Sequence, residues 1–178
     1  MSEITFLVDA RESLIKKIDE TQVILQTNIA ETGGELKLLV NNITELFLLL
    51  NGDTYFDVSV KHLHEFHSKK GSNFTFSVFK SDNTSRYLGL NVDSNMKIVS
   101  SDLIKEQIGI KYVNGGVYII NPKIFDNVEF EPNKQISLES EIIPRLICNN
   151  ISLYACEFDT KFIDIGIPDD YFNAQTFL

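Results

Sequence analysis

Four short stretches hold the residue types whose order and spacing could do chemistry. Asn51-Gly52-Asp53 follows directly on the apolar run Leu46 to Leu50. In open parallel sheets, ligands bind beyond the carboxyl ends of the strands. A glycine there lets the backbone come close to a ligand, and an aspartate offers a hard oxygen for Mg2+. Phe162-Ile163-Asp164-Ile165-Gly166-Ile167-Pro168 again sets an acidic residue at the end of an apolar strand, so two carboxylates from separate strand ends could meet at one metal ion. Thr32-Gly33-Gly34 is a tight glycine turn at a helix start, where free N–H groups and the helix dipole suit an anion or a nucleotide. Val113-Asn114-Gly115-Gly116-Val117-Tyr118 sets two glycines inside a strand pattern, the mark of a bulge or of a close ligand approach. Taken singly, the first two stretches read as ordinary turns, because Asn, Gly and Asp are turn formers.

Other reactive side chains read as structural. His62, His64 and His67 lack the i, i+4 spacing of a helical metal pair, so they read as solvated surface histidines. Cys148 and Cys156 have neither metal-ligand nor disulfide-framework spacing. Both sit in apolar stretches and read as buried free thiols. Asp57 could assist Asp53 but reads first as a loop cap or helix N-cap. Lys69-Lys70 reads as a solvated helix end, and Asp169-Asp170 as first-turn charge on a last helix.

The elements that must position these groups alternate in the first third. Ile4–Val8 and Gln22–Thr27 read as strands, and Arg11–Ile18 and Glu35–Val40 as helices. Leu46 to Leu50 is continuously apolar, the pattern of a strand buried on both faces of a parallel sheet. A polar helix follows over about 60–70. Strand–helix alternation of this kind argues for right-handed crossovers. The middle reads differently, with short strands at Phe74–Phe79, Tyr87–Val92, Lys97–Val99 and Tyr112–Ile120. Ser137 opens a helix reaching Ile147, with Glu139 and Glu141 suited to its first turn. Ser152–Phe158 and Phe162–Ile165 are late strands, and Pro168 starts a last helix.

The 178 residues suit one domain with a real core, and 43% apolar with 23% charged residues is a globular mixture. The formal charge of −9 repels nucleic-acid phosphates and anionic lipid, which argues against a nucleic-acid or membrane-surface partner. Met1-Ser2-Glu3 has no basic n-region. The longest apolar run falls far short of the about 20 residues needed to span a bilayer. A cytoplasmic protein is the expectation.

The four stretches form an ordered series with Arg86-Tyr87, Asn91-Val92-Asp93 and Ser137-Leu138-Glu139. The series resembles the sugar-phosphate nucleotidyltransferases, nearest the D-glycero-D-manno-heptose 1-phosphate and mannose-1-phosphate guanylyltransferases, over nearly all of the chain. The resemblance implies one α/β domain over residues 1–178. Its fold would be Rossmann-like (GT-A-like), with a mixed, mostly parallel sheet flanked by helices. It implies joining a sugar 1-phosphate to a nucleoside triphosphate, GTP foremost, with release of pyrophosphate, for surface polysaccharide synthesis. It further implies that Asp53 and Asp164 hold Mg2+ and are catalytic. Thr32, Gly33, Gly34, Asn51 and Gly52 would meet the nucleotide, and Asn114, Gly115 and Glu139 the sugar. For Glu139, a first-turn carboxylate favoured by the helix dipole is an equal reading.

The sequence departs from that pattern in three places. The family's opening strand and glycine-rich triphosphate loop, with its Gly-Thr-Arg, and the Pro-Lys-Pro after it have no counterpart. The chain thus starts at the family's second strand, as an N-terminally truncated domain. The family's Glu-Lys pair is replaced by Val99 to Lys105, with Lys105 the only substitute cation. In Arg86-Tyr87-Leu88-Gly89 a leucine separates the usual Tyr-Gly. Three readings stay open: a shortened active enzyme, an inactive paralogue that binds or senses a nucleotide sugar, and a chain whose sheet a partner completes. An open edge beside the gap invites a homodimer.

Overall fold

The computed structural model describes residues 4–9, 21–26, 43–51, 53–81, 89–100, 111–127, 137–164 and 174, with the side chains of 4–9, 21–26, 111, 127 and 139 excepted. The strands Ile4–Asp9 (β1) and Thr21–Gln26 (β2) pair in parallel, from Ile4 opposite Thr21 to Asp9 opposite Gln26. Parallel neighbours need a crossover, as the alternating pattern requires. The expected helices over 11–18 and 35–40, the Thr32-Gly33-Gly34 turn and the Pro168 helix start lie outside the described residues.

The main sheet is built on Lys111–Ile120 (β8). Phe74–Ser81 (β5) lies antiparallel along one edge of it. Phe47–Leu50 (β3) and Gly89–Val92 (β6) share the other edge. β3 pairs with residues 117–120, and β6 with Tyr112 and Val113. Ile98–Ser100 (β7) continues outward from β6, and Leu153–Glu157 (β9) lies parallel on β5. β3, β5 and β9 therefore run one way, with β8 reversed between β3 and β5. The expected parallel order is interrupted there because the strand that lies between β3 and β5 in space comes from much later in the chain. Thr54–Phe56 (β4) and Phe162–Asp164 (β10) form a separate antiparallel ribbon.

Period-two alternation splits the sheet into two apolar faces. Phe74, Phe76, Val78, Leu90, Ile98, Tyr118, Ile120, Leu146 and Leu153 pack on one. Phe56, Leu63, Val117, Ile119, Cys156 and Phe158 pack on the other, with Phe79 and Phe162 at its margin. Burial of Cys156 pushes its thiol up to about 11, so it stays protonated.

Val60–Lys70 forms the helix α1, as the pattern predicts. The Ser59 hydroxyl accepts from the His62 N–H at 3.2 Å, closing its N-terminus. Gly71 at φ +57 closes the other end, donating to the last carbonyls. Lys70 is no free helix end: its Nζ donates to the Asn95 carbonyl at 2.8 Å and lies over the Phe66 and Tyr154 rings.

Four further expectations need correcting. β3 is buried on one face only: Phe47 and Leu49 pack on the first cluster, while Leu48 and Leu50 are 37% and 57% exposed. Five consecutive apolar residues hide the period of two, so the run looks two-sided. His67 is not a surface histidine. It falls four residues after buried Leu63, on the face of α1 that meets the sheet, and its Nδ1 lies 2.8 Å from Thr75 Oγ1. Cys148 is exposed, because it ends its helix on the outward side. The helix after Ser137 is not one α-helix. Leu138–Ile142 is a π-helical turn, with the Ile143 N–H bonded to the Leu138 carbonyl, and Ile143–Cys148 (α2) follows. Pro144 has no N–H to donate, so the bonding changes register beside it. Ser137 caps this element as expected, accepting from Ser140 N–H at 3.2 Å. Among the described residues no helix is long and apolar enough to cross a membrane.

Candidate active site

The carboxyl ends of β3, β5 and β9 share one end of the sheet. The chain leaves β3 there into Asn51 and returns as β4. Asn51 is half-buried, and its N–H donates to the Gly116 carbonyl at 2.8 Å, carrying the β3–β8 ladder one residue further. Asp53 is exposed at the turn that follows. Phe56 fixes β4 behind it: its ring meets the edges of Phe79, Phe158 and Phe162 at centroid distances of 5.6, 5.9 and 5.6 Å. β4 was not foreseen, because its three residues sit directly on a run of turn formers.

The ribbon brings the second carboxylate to the first. Phe162 stands opposite Phe56, Ile163 opposite Tyr55, and Asp164 opposite Thr54. Asp164, half-buried, is thus one position removed from Asp53 across the ribbon. Directly opposed residues in an antiparallel pair hold their Cβ atoms about 5 Å apart; that pair here is Thr54 with Asp164, and Asp53 is the residue before Thr54. Asp57 lies at the far end of β4. It is exposed, and its N–H donates to the Lys161 carbonyl at 3.0 Å; Ser59, not Asp57, caps α1.

The floor of this site is a bulge in β8. Phe76 pairs with Tyr118 and Val78 with Asn114, so one β5 residue, Ser77, faces three on β8. The Ser77 hydroxyl accepts from the displaced Val117 N–H at 3.3 Å. Gly116 takes φ +75, a conformation glycine adopts without strain. Asn114 pins the bulge: its Oδ1 accepts from Gly116 N–H at 3.1 Å, and its Nδ2 donates to the Tyr118 hydroxyl at 2.7 Å. Gly115 is buried, and a Cβ there would overlap the Phe56 ring. A Cβ on Gly116 would stand 2.6 Å from Thr54 Oγ1 and 2.9 Å from Asn51 Nδ2. The close approach that the two glycines signalled is therefore made by the chain's own Asn51, Thr54 and Phe56.

At the same end of the sheet, Lys80 Nζ lies 2.8 Å from Glu157 Oε1, and the Tyr112 hydroxyl donates to Glu157 Oε2 at 3.0 Å. The Glu157 hydrogen bond raises the Lys80 pKa, and the reciprocal bond lowers that of Glu157, so both stay charged.

Asn51 and Asp53 thus follow the end of β3, Asp164 ends β10 opposite Thr54, and Asn114 and Gly115 lie in the β8 bulge that packs against β4. Glu139 lies in the π-helical turn behind Ser137. Thr32, Gly33, Gly34, Gly52, Arg86, Tyr87 and Lys105 lie outside the described residues. Thr54, Ser77 and Gly116 were not singled out as site residues, although the second glycine inside a strand was a signal for the last. Chemically, two carboxylates beside amide groups offer hard oxygen donors. Among the described residues no three His, Cys, Asp or Glu side chains converge. The set suits a cation that takes one or two carboxylates and completes its shell with water and phosphate oxygens, as Mg2+ does.

Residues 10–178 match the model of the nucleotidyl transferase family. A probable mannose-1-phosphate guanylyltransferase 1 from Oryza sativa subsp. japonica is 30% identical over 176 residues, covering 96% of this chain and 47% of that protein. The chain spans about half the length of the curated relatives it matches. The crystal structure of HddC from Yersinia pseudotuberculosis superposes with a TM-score of 0.79 at 27% identity, covering 99% of this chain and 79% of that one. HddC complexed with GMP-PN gives 0.72 at 28%, with coverages of 92% and 70%.

Proposed function

The chain belongs to the nucleotidyl transferase family, and from that premise we propose that it carries out guanylyl transfer onto a sugar 1-phosphate of the mannose or heptose type. The sugar phosphate oxygen attacks the α-phosphorus of GTP in line. A bond to that phosphorus forms, the bond to the β-phosphate bridging oxygen breaks, and pyrophosphate leaves. The product is a GDP-sugar, an activated donor for surface polysaccharide. The similarity to mannose-1-phosphate guanylyltransferases supports the sugar class. The complex of HddC with GMP-PN supports a guanine nucleotide.

The observation that carries this reading is that the β4–β10 ribbon sets Asp164 opposite Thr54, the residue after Asp53, with Thr54 lying against the Asn114–Gly116 bulge. Asp53 and Asp164 would hold Mg2+, which, when bound, neutralises phosphate charge and draws the two substrates' phosphates together. Catalysis of this kind is mainly positioning and charge stabilisation. Asn51 contributes an amide on a backbone fixed by the β3–β8 ladder, and the Asn114 amide is held in orientation by Tyr118 and Gly116. Phe56 anchors β4, the strand that follows Asp53, because its ring is gripped on three sides.

The test is pyrophosphate release from GTP with mannose 1-phosphate or heptose 1-phosphate. Asp53→Asn removes one of the two anionic donors and should abolish release while leaving the thermal midpoint unchanged, since Asp53 is exposed. Full turnover in that variant would sink the metal assignment. If the wild-type chain releases no pyrophosphate with any nucleoside triphosphate, the inactive, nucleotide-sugar-binding reading takes its place.

A further inference from the structure

The Gly115–Gly116 bulge sits under the proposed metal carboxylates, and its neighbours show what it does. Asp53 is bracketed by Asn51 and Thr54, and both crowd the space that a side chain on Gly116 would take. A Cβ at Gly116 would meet Thr54 Oγ1 at 2.6 Å and Asn51 Nδ2 at 2.9 Å, and the Asn51 N–H is bonded to the Gly116 carbonyl at 2.8 Å. Thr54 is also the residue opposite Asp164. The residues on either side of the Asp53 turn, one of them opposite Asp164, are thus referred to one glycine. The bulge that presents this glycine is not slack: Ser77 accepts the Val117 N–H that has lost its ladder partner, and Asn114 Oδ1 accepts the Gly116 N–H.

We infer that Gly116, with Ser77 behind it, is a positioning element for the divalent-cation site, setting the separation of Asp53 from Asp164 rather than contacting the sugar. This rests on the proposed reading of those two aspartates. It gives the paired glycines a role in metal affinity. A sugar-contacting role would leave metal affinity alone and move only KM for the sugar phosphate. Groups that orient metal ligands are typically worth 10–100-fold in affinity, so displacing the Asn51–Thr54 turn by the reach of one methyl should fall in that range.

The experiment is Mn2+ binding to the full chain, read by the loss of the free-ion electron paramagnetic resonance signal, with no substrate and no turnover. Binding to the wild type, lost in Asp53→Asn, is the starting point. Gly116→Ala should weaken it about tenfold or more, and Thr54→Ala in the same chain should recover part of the loss by removing the nearest obstructing atom. Ser77→Ala, which leaves the glycine backbone untouched, should weaken binding a few-fold with the thermal midpoint close to wild type. It keeps the question answerable if Gly116→Ala fails to fold. Wild-type Mn2+ affinity in both Gly116→Ala and Ser77→Ala overturns the positioning role while leaving the aspartate assignment standing. Failure of the wild type to bind Mn2+ overturns both.

Discussion

On one face of the sheet, Phe74 stacks on Phe76 at 4.3 Å, and both meet the edge of Tyr118. Leu90, Ile98, Leu146 and Leu153 fill the space around them. On the other face the same strand, β5, turns Thr75 and Ser77 inward, both fully buried. Each spends its hydroxyl on a partner that strand pairing alone would leave unsatisfied: His67 for Thr75, and the bulge N–H of Val117 for Ser77. The first face is close-packed hydrocarbon, whose contribution scales with area and volume. The second gives up apolar contact to hold a histidine, a bulge and an aromatic clamp. The bulge and the clamp are what seat Asn51, Thr54 and Phe56. One strand therefore serves packing and positioning at alternate residues.

The sharpest way to break this contrast is on the packed face. Phe76→Ala removes a fully buried ring and should cost about 3–5 kcal/mol in urea unfolding. If it costs no more than an exposed substitution, the packed face is not what holds the sheet. A smaller effect is expected on the positioning face. Gly115→Ala drives a methyl into the Phe56 ring and should cost about 1–3 kcal/mol, as overpacking does. Phe56→Leu in the same chain should recover part of it, because the overlap is with ring atoms. Absence of recovery would move the strain to the backbone.

The smallest effect should come from His67 and should depend on pH. Burial, with His64 nearby adding to it, lowers its pKa below the usual histidine value of 6.5. The folded state thus resists a proton that the unfolded chain accepts. Stability should be full above pH 6.5 and fall as the pH drops from there toward the lowered folded-state value. The same titration on His67→Gln should lose that slope. A slope that persists would show that His67 is not its source.

Strand positions were legible wherever a period of two or a short apolar run stood between turn formers, as at Phe74, Tyr112 and Ser152. Pairing was not. Nothing local to an apolar run such as Phe47–Leu50 says which strand will lie beside it, so the reversal of β8 between β3 and β5 had to come from the structure. The places of Asp53 and Asp164 at strand ends were legible, but Thr54, next to one and opposite the other, is an ordinary residue in a three-residue strand. His67 was misread because α1 is rich in charge, and a lone buried position shows only when its four-residue spacing from Leu63 is weighed. The glycines were recognised as a close-approach site, but the partner in that approach depends on a tertiary contact.

The reversed strand at the centre of the sheet also bears on the order in which the molecule can form. Leu50 pairs with Val117 and Phe74 with Ile120, so among the described strands β3 and β5 are joined through one synthesised long after both. Until residue 120 is available, the two have no ladder in common and their apolar faces have no shared core. Closing spans of that length costs entropy before any contact returns it. The sheet should therefore assemble late and cooperatively, with the Asn51–Thr54 turn reaching its seat on Gly116 in the same event.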